Sequence, residues 1–396
     1  MTLSRKGWSR IHGDLHPPCR RAICPPGIFF CPGYSGISVI TESYRYRLIS
    51  RRYFQTISIK PLKKPITILA QGSFAVGGKI LREKGIYDEN HPLNPEGQEK
   101  HVDHGYVFYQ IPVNPKKVSL TFLHGAGQSG ASFETTPDGR EGFQTIFLRK
   151  GYPVYLFDQP RRGRAGSAGV PVNILPKGDE ALWFDIFRIG HYPDRFPNSQ
   201  FPCGNEAEDQ FWRKVTPNTG DFDVSLVSEA LSEAVSRAGD TVLITHSQGA
   251  SPGWFAAMRN PKVKGIIALE PGVGFVFPKG EVPLPMESSS PFGPLKGVPV
   301  SEEDFRKLTK LSILMVFGDN IPETPSPYGG QDNWRVRLQS ARLMAEAINK
   351  RGGHAEVLCL PEIGIYGNTH FLFEDQNNEE IAEVLEKWLM EEGPGK

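Results

Sequence analysis

Short apolar runs alternate with helix-like patterns along the chain from Ile66 onward. Apolar runs of strand length bounded by Gly, Pro and Asn predict strands, and apolar residues three or four positions apart predict helices. The predicted strands are 66–78, 105–113, 118–123, 154–157, 241–246, 265–269, 311–317 and 355–360, and the predicted helices are 142–150, 222–238, 334–350 and 379–390. This alternation implies an α/β fold with a mostly parallel central sheet and helices on both faces.

The first 65 residues differ in kind, because they carry 12 Lys and Arg residues against only Asp14 and Glu42. A basic, Arg-rich leader is typical of a transit segment, and a disordered extension explains the composition equally well. A secretory signal fits less well, because the apolar run 28–30 is short and lies far from the first residue. We therefore expect the folded domain to span 66–396 and to be cytoplasmic or mitochondrial rather than secreted.

Residues 167–221 interrupt the alternation, because they are rich in Pro, Asn, Asp, Trp and Phe and lack a strong period. An insertion between a strand and the next helix is the usual position of a lid over an active site. Its aromatic residues either line a substrate pocket, with Trp183, Phe184 and Phe187 the first candidates, or pack the lid itself. The further aromatic candidates are Tyr192, Phe196 and Phe201.

The composition limits the classes of partner and cofactor that we expect for this protein. Hydrophobic residues make up 39% of the 396 residues, charged residues 22%, and the formal net charge is +1. This balance gives no electrostatic reason to expect nucleic acid as a partner. No apolar run is long enough to span a membrane, which predicts a soluble protein. Five cysteines show no zinc-ligand spacing with histidines, so no metal is expected.

The run 241–246 breaks at Ser247 and continues as a helix-like segment. A strand that turns sharply into a helix at a serine is the nucleophile elbow, which exposes the hydroxyl above the sheet. Small residues are needed two positions before and after that serine. Gly249 satisfies the second requirement, whereas Thr245 stands where a glycine is usual. Ser247 is the candidate nucleophile.

A serine needs a base to take its proton and an acid to orient that base. His370 lies in a loop between the last predicted strand and helix, where this fold presents its base. Two carboxylates remain open as the acid, because Glu270 and Asp319 both stand at the carboxyl ends of apolar strands, Asp319 after an intervening glycine. His124 and His246 adjoin the same loops and are expected to pack or support rather than react.

Backbone amides must also hold the oxyanion, usually the amide after the nucleophile and one from the first loop. Gln248 supplies the first, and the glycine-rich segment after strand 118–123 offers Ala126 and Gly127. The glycine spacing matches neither a dinucleotide fingerprint nor a P-loop, so we expect no nucleotide and no other cofactor.

Taken together, these segments resemble the α/β-hydrolase superfamily, and within it a subgroup around a bacterial carboxylesterase whose triad acid is glutamate. The matching positions are 124–125, 134–140, 147–152, 158–159, 162–164, 246–248, 270–272, 316–319, 367–370, 375 and 377–378. The resemblance implies Ser247, Glu270 and His370 as the triad, with Asp319 in reserve. The relative has adjacent cysteines where this chain has Ala126 and Gly127, so its substrate preference does not carry over.

The expected function is a serine esterase or lactonase acting on a small-molecule ester through an acyl-enzyme. Acyl transfer with the same triad and a non-catalytic binding protein of this fold are the alternatives. A homodimer is compatible with the sequence.

Overall fold

An eight-stranded sheet forms the centre of the structure, a computed structural model that describes residues 63–394. The strands are β1 (Ile68–Arg82), β2 (Glu99–Pro112), β3 (Ser119–Leu123), β4 (Val154–Asp158), β5 (Gly190–His191), β6 (Asp194–Arg195), β7 (Thr241–His246), β8 (Val263–Leu269), β9 (Val276–Pro278), β10 (Val298–Val300), β11 (Ser312–Phe317) and β12 (His354–Cys359). The spatial order of the large sheet is β1-β2-β4-β3-β7-β8-β11-β12. Strands β5 and β6 pair with each other, as do β9 and β10. The leader predicted for residues 1–65 lies outside the described residues, apart from its last three.

The six strands from β4 to β12 in the large sheet are parallel, and β1 and β2 add an antiparallel ribbon at one edge. The helices within residues 63–394 are α1 (Phe143–Arg149), α2 (Glu180–Ile186), α3 (Asn205–Arg213), α4 (Val224–Ala238), α5 (Ala250–Arg259), α6 (Glu302–Leu308), α7 (Gly329–Asn349) and α8 (Asn378–Glu391). The predicted α/β class, with a mostly parallel sheet and helices on both faces, is thus confirmed.

Alternate residues of each central strand face opposite layers of core. In β11, Ile313, Met315 and Phe317 join one cluster, which also holds the inner faces of α4 to α7. Leu314 and Val316 join the other cluster, which holds α1 and α8. Because the side-chain period of a strand is two, an apolar run without interruption fills both layers.

Capping side chains explain where two of the helices begin. The predicted helix 222–238 starts at Val224, because the Asp223 carboxylate accepts a hydrogen bond from the amide of Leu226 at 3.0 Å and caps the helix. Helix α6 was not predicted. Ser301 caps it by accepting a hydrogen bond from the amide of Asp304 at 3.0 Å.

The insertion 167–221 contains α2, the β5–β6 ribbon and α3. Phe184 of α2 and Phe211 of α3 are buried in the same core layer as α1 and α8. The insertion therefore packs onto the body of the domain through its own aromatic side chains.

Candidate active site

Ser247 occupies a strained turn between β7 and α5. Its φ is +53°, a left-handed value that non-glycine residues seldom adopt. The serine lines a cavity of about 250 Å³, together with His370 and Gln248. A Cβ added at Gly272 would lie 3.2 Å from Ser247 Oγ, so a glycine keeps the space beside the hydroxyl open. The predicted nucleophile elbow is thus the geometry at this position.

Thr245 stands where a glycine is usual, and a glycine of helix α5 makes room for its side chain. A Cβ added at Gly253 of α5 would lie 2.7 Å from Thr245 Cγ2. On the other side of the serine, a Cβ at Gly249 would lie 2.6 Å from the carbonyl oxygen of His124. Strand β7 and helix α5 therefore cross closely at Gly253, and the elbow packs closely on the end of β3 at Gly249. The glycine that makes room for Thr245 lies in the helix instead of the strand.

His370 and Glu270 face each other in the interior. Glu270 directly follows β8, His370 lies in the loop between β12 and α8, and both side chains are at most 2% exposed. His370 Nδ1 lies 3.4 Å from Glu270 Oε2, at the long end of the hydrogen-bond range. Donation from Nδ1–H to this carboxylate would leave Nε2 free to accept a proton.

Asp319 does not face His370. Its Oδ2 accepts hydrogen bonds from the Gly367 amide at 2.7 Å and from Asn198 Nδ2 at 3.1 Å. Its Oδ1 accepts one from the Asn320 amide at 2.6 Å. Asp319, the alternative acid, therefore holds the backbone of the His370 loop at Gly367. Glu270 is the carboxylate that the structure brings to the histidine.

A buried arginine, which the sequence analysis did not single out, compensates the charge of Glu270. Arg188 Nη2 donates to Glu270 Oε1 at 2.6 Å, and neither side chain is exposed. The Gly318 amide donates to the same oxygen at 2.5 Å. Arg188 Nε donates to the Asp319 carbonyl at 2.8 Å, and its guanidinium lies 4.9 Å from the Trp334 ring. Arg188 comes from the residues after α2, so the insertion contributes to the site.

The imidazole of His370 is held between rings. Phe187 stacks on it with a centroid distance of 5.4 Å and an interplanar angle of 15°, and Trp334 lies at 4.4 Å. Burial, and then the charges of Arg188 and Arg337, hold the pKa of His370 well below its usual value. The imidazole is therefore neutral near pH 7, as a general base must be.

His246 supports both loops rather than facing solvent. Its Nε2 lies 3.0 Å from the carbonyl of His370, and its Nδ1 lies 3.0 Å from Gln128 Oε1. Gln128 Oε1 also accepts a hydrogen bond from the Gly125 amide at 3.2 Å. One histidine thus links the loop of the base to the glycine-rich loop, in agreement with the supporting position expected for it.

Asp375 fixes the His370 loop from the other side. Its carboxylate accepts hydrogen bonds from the amide and the hydroxyl of Thr369, both at 2.8 Å, and from Asn368 Nδ2 at 3.0 Å. Burial raises the pKa of Asp375 to about 7. The backbone on both sides of the histidine is therefore held by buried side chains.

The glycine-rich loop after β3 lies against the elbow. A Cβ at Gly125 would lie 2.8 Å from Ser247 Cβ, and Arg162 Nη1 donates to the Gly125 carbonyl at 2.9 Å. Ala126 lines the cavity of Ser247, as Gln248 does. Gly127 lines the neighbouring cavity instead. Of the three predicted oxyanion donors, the structure brings Ala126 and Gln248 to the serine.

Two cavities meet at the aromatic side chains of the insertion. The second, of about 340 Å³, shares Ala126, Gln128, Trp183, Phe187 and Phe371 with the cavity of Ser247. Trp183 stacks on Phe187 at 5.3 Å, and the two are four positions apart on one face of the helix. The cavity of Ser247 therefore continues into an aromatic pocket.

The prediction for Phe184 needs correction, because it lines neither cavity. It is 2% exposed, points to the core about 100° around the helix from Trp183, and packs edge-on against Tyr192 at 5.6 Å. Phe196 packs on His191, and Phe201 on Phe211. These aromatic residues pack the insertion itself.

No group of three or more His, Cys, Asp or Glu side chains within residues 63–394 is arranged to hold a metal ion. In the same part of the chain, no helix is both long and apolar enough to cross a membrane.

Comparison with known proteins agrees with this fold. A model of the alpha/beta hydrolase family matches residues 122–384, and the chain belongs to this family. It is similar to the probable secreted lipase phiG of Fungal sp. (strain ATCC 74256), with 30% identity over 315 residues covering 72% of this chain and 86% of that protein. It is also similar to the solved structure of a novel bacterial esterase, with a TM-score of 0.66 and 31% identity over 83% of this chain and 98% of that one. The resemblance drawn from the sequence is confirmed.

Proposed function

We propose that this protein is a serine hydrolase that cleaves carboxylic esters, lactones included, through an acyl-enzyme intermediate. The observation that carries the proposal is the buried pair of Glu270 and His370, with the imidazole lining the same cavity as Ser247 at its strained turn. A neutral base, a compensated buried acid and an accessible hydroxyl together are what nucleophilic acyl transfer requires.

In the proposed reaction, Ser247 Oγ attacks the acyl carbon while His370 Nε2 takes its proton. Glu270 holds Nδ1–H and stabilises the imidazolium as it forms. The amides of Gln248 and Ala126 donate to the oxyanion. His370 then protonates the leaving alcohol, and water attacks the acyl-enzyme in the reverse sequence to release the acid.

The relatives support the ester as substrate class. One is named a secreted lipase and another an esterase, and each is at least 30% identical to this chain. The aromatic pocket beside Ser247 supports a substrate with an apolar or aromatic part.

The test is hydrolysis of para-nitrophenyl acetate and butanoate, with intact-mass detection of the acylated protein. We expect a burst of nitrophenol, an acyl adduct on Ser247, and loss of both in Ser247→Ala. Ser225→Ala, on the exposed face of α4, is the matched control and should retain activity. A folded protein that turns over neither ester nor forms an adduct would contradict the proposal.

A further inference from the structure

Arg337 is a buried cation without a carboxylate partner among the residues that the structure describes. It lies on α7, lines the cavity of Ser247, and is 8% exposed. Its one hydrogen bond within residues 63–394 runs from Nη1 to the Asn333 carbonyl at 2.7 Å, and its guanidinium packs 5.6 Å from the Trp334 ring. Arg188, the other arginine beside His370, is by contrast paired with Glu270.

Arg337 lines the cavity, and its remaining N–H groups have no partner among residues 63–394. Buried nitrogens that lack a partner occur at Arg162 Nε and Arg188 Nη1, but Nε and Nη2 of Arg337 are not among them. Nε and Nη2 of Arg337 donate to no residue that the structure describes, so these two nitrogens are accessible to a bound molecule or to solvent. Burial lowers the pKa of Arg337 only to about 10, which leaves the guanidinium charged at neutral pH.

A second donor lies one turn earlier on the same helix face. Asn333 lines the cavity, is 1% exposed, and accepts a hydrogen bond from Ser290 Oγ at 2.8 Å through Oδ1. Its amide nitrogen has no acceptor among residues 63–394. Asn333 and Arg337 therefore add donors to the lining of the Ser247 cavity, and no acidic side chain of residues 63–394 lines it.

We propose that Arg337, assisted by Asn333, binds a carboxylate carried by the substrate, so that the preferred substrates are esters with a free carboxylate. This inference rests on the proposed ester hydrolysis. A buried charge is costly unless it is paired, and a guanidinium fork matches a carboxylate with two hydrogen bonds. The apolar part of such an ester would lie in the aromatic pocket of Trp183 and Phe187.

The first experiment compares charged and neutral esters of equal length. In the first series, the charged para-nitrophenyl monoesters of succinic, glutaric and adipic acid are compared with the neutral para-nitrophenyl esters of butanoic, pentanoic and hexanoic acid. In the second series, charged para-acetoxybenzoate is compared with neutral para-acetoxybenzamide. The uncatalysed rate is subtracted from each. We expect kcat/KM to favour the charged member about 10- to 100-fold in at least one series, the range of a charged hydrogen bond.

The variant Arg337→Gln should reduce the ratio of charged to neutral kcat/KM by the same factor, and Arg337→Lys should retain part of it. Arg342→Gln changes an arginine of the same helix that is 57% exposed, and it should leave the ratio unchanged. The ratio is decisive, because Arg337 also acts on His370 and its loss affects both substrates. A wild type that prefers the neutral member in every series, or an Arg337→Gln variant that slows both members equally, would overturn the proposal.

Binding provides a readout that does not depend on turnover. Benzoate titration followed by tryptophan fluorescence should give a saturable change in the wild type and in Arg342→Gln, and none in Arg337→Gln. Benzamide should give a much weaker change. If benzoate binds but no ester is hydrolysed, the proposed function fails and the carboxylate site stands. Hydrolysis of neutral esters with no benzoate binding would reject the carboxylate site alone.

Discussion

Replacing Arg188 should weaken both the fold and the reaction. In Arg188→Met, Glu270 remains buried with the Gly318 amide and His370 but loses its 2.6 Å ion pair. Removing one partner of a buried pair costs about 3–5 kcal/mol, because the other charge is left uncompensated. Since both side chains are fully buried, we expect this full range, and a fall in Tm of about 5 °C or more.

The same change should move the pH profile. In the wild type, burial and the charge of Arg188 hold the pKa of His370 well below 6.5, so activity should persist below pH 6.5 and fall only as pH drops through that lower pKa. In Arg188→Met the positive charge that lowers the pKa of His370 is gone, so this pKa rises. The acidic limb of kcat/KM therefore moves upward, by about one pH unit or more.

The assay is kcat/KM for a para-nitrophenyl ester between pH 5 and 9, with thermal unfolding of the same samples. Arg188→Lys keeps the charge and should recover part of both properties. Arg213→Met is the control, because Arg213 lies in the same insertion, is 72% exposed and should change neither. An Arg188→Met variant with wild-type Tm and an unmoved acidic limb would refute the role assigned to the ion pair.

Four further substitutions test other parts of the site. In steady-state kinetics, Glu270→Gln should lower kcat about a thousandfold or more, whereas Asp319→Asn should lower kcat less than about tenfold. A larger loss in Asp319→Asn than in Glu270→Gln would show that Asp319 is the acid. Trp183→Ala should raise KM for esters with aromatic acyl groups up to about tenfold, with a smaller effect on acetate, because it removes the stack in the aromatic pocket. Gly272→Ala should lower kcat/KM about tenfold or more by placing a methyl group 3.2 Å from Ser247 Oγ, and unchanged kinetics would contradict that geometry.

The strands at the centre of the sheet were predictable because they are buried on both faces. Every residue of β3 (Ser119–Leu123) and β4 (Val154–Asp158) is buried, and strands buried on both faces are mainly apolar in sequence. The ribbon of β1 and β2 extends further than predicted, because β1 continues to Arg82 and β2 already begins at Glu99. In β1, the residues from Gly77 to Arg82 are exposed and carry no alternating pattern that could mark the end of the strand.

The places of Ser247 and His370 in the fold were predictable from motifs, but the side chains that surround them were not. Ser247 and His370 stand at fixed places relative to strands, whereas Arg188 and Glu270 are 82 positions apart. Only folding brings such a pair together, and no local pattern encodes it. The sequence could have offered one signal, because Arg188 and Asp185 are the only charged residues in the apolar and aromatic run 181–189.

The central claim is that Ser247 is a nucleophile activated by His370. The most direct measurement is labelling with a fluorophosphonate probe, followed by intact mass and peptide mapping of the unaltered chain, Ser247→Ala and His370→Ala. Our account predicts one probe per chain at Ser247, no labelling of Ser247→Ala, and labelling of His370→Ala slowed about a thousandfold or more. Labelling at another residue, or none on a folded protein, would contradict it.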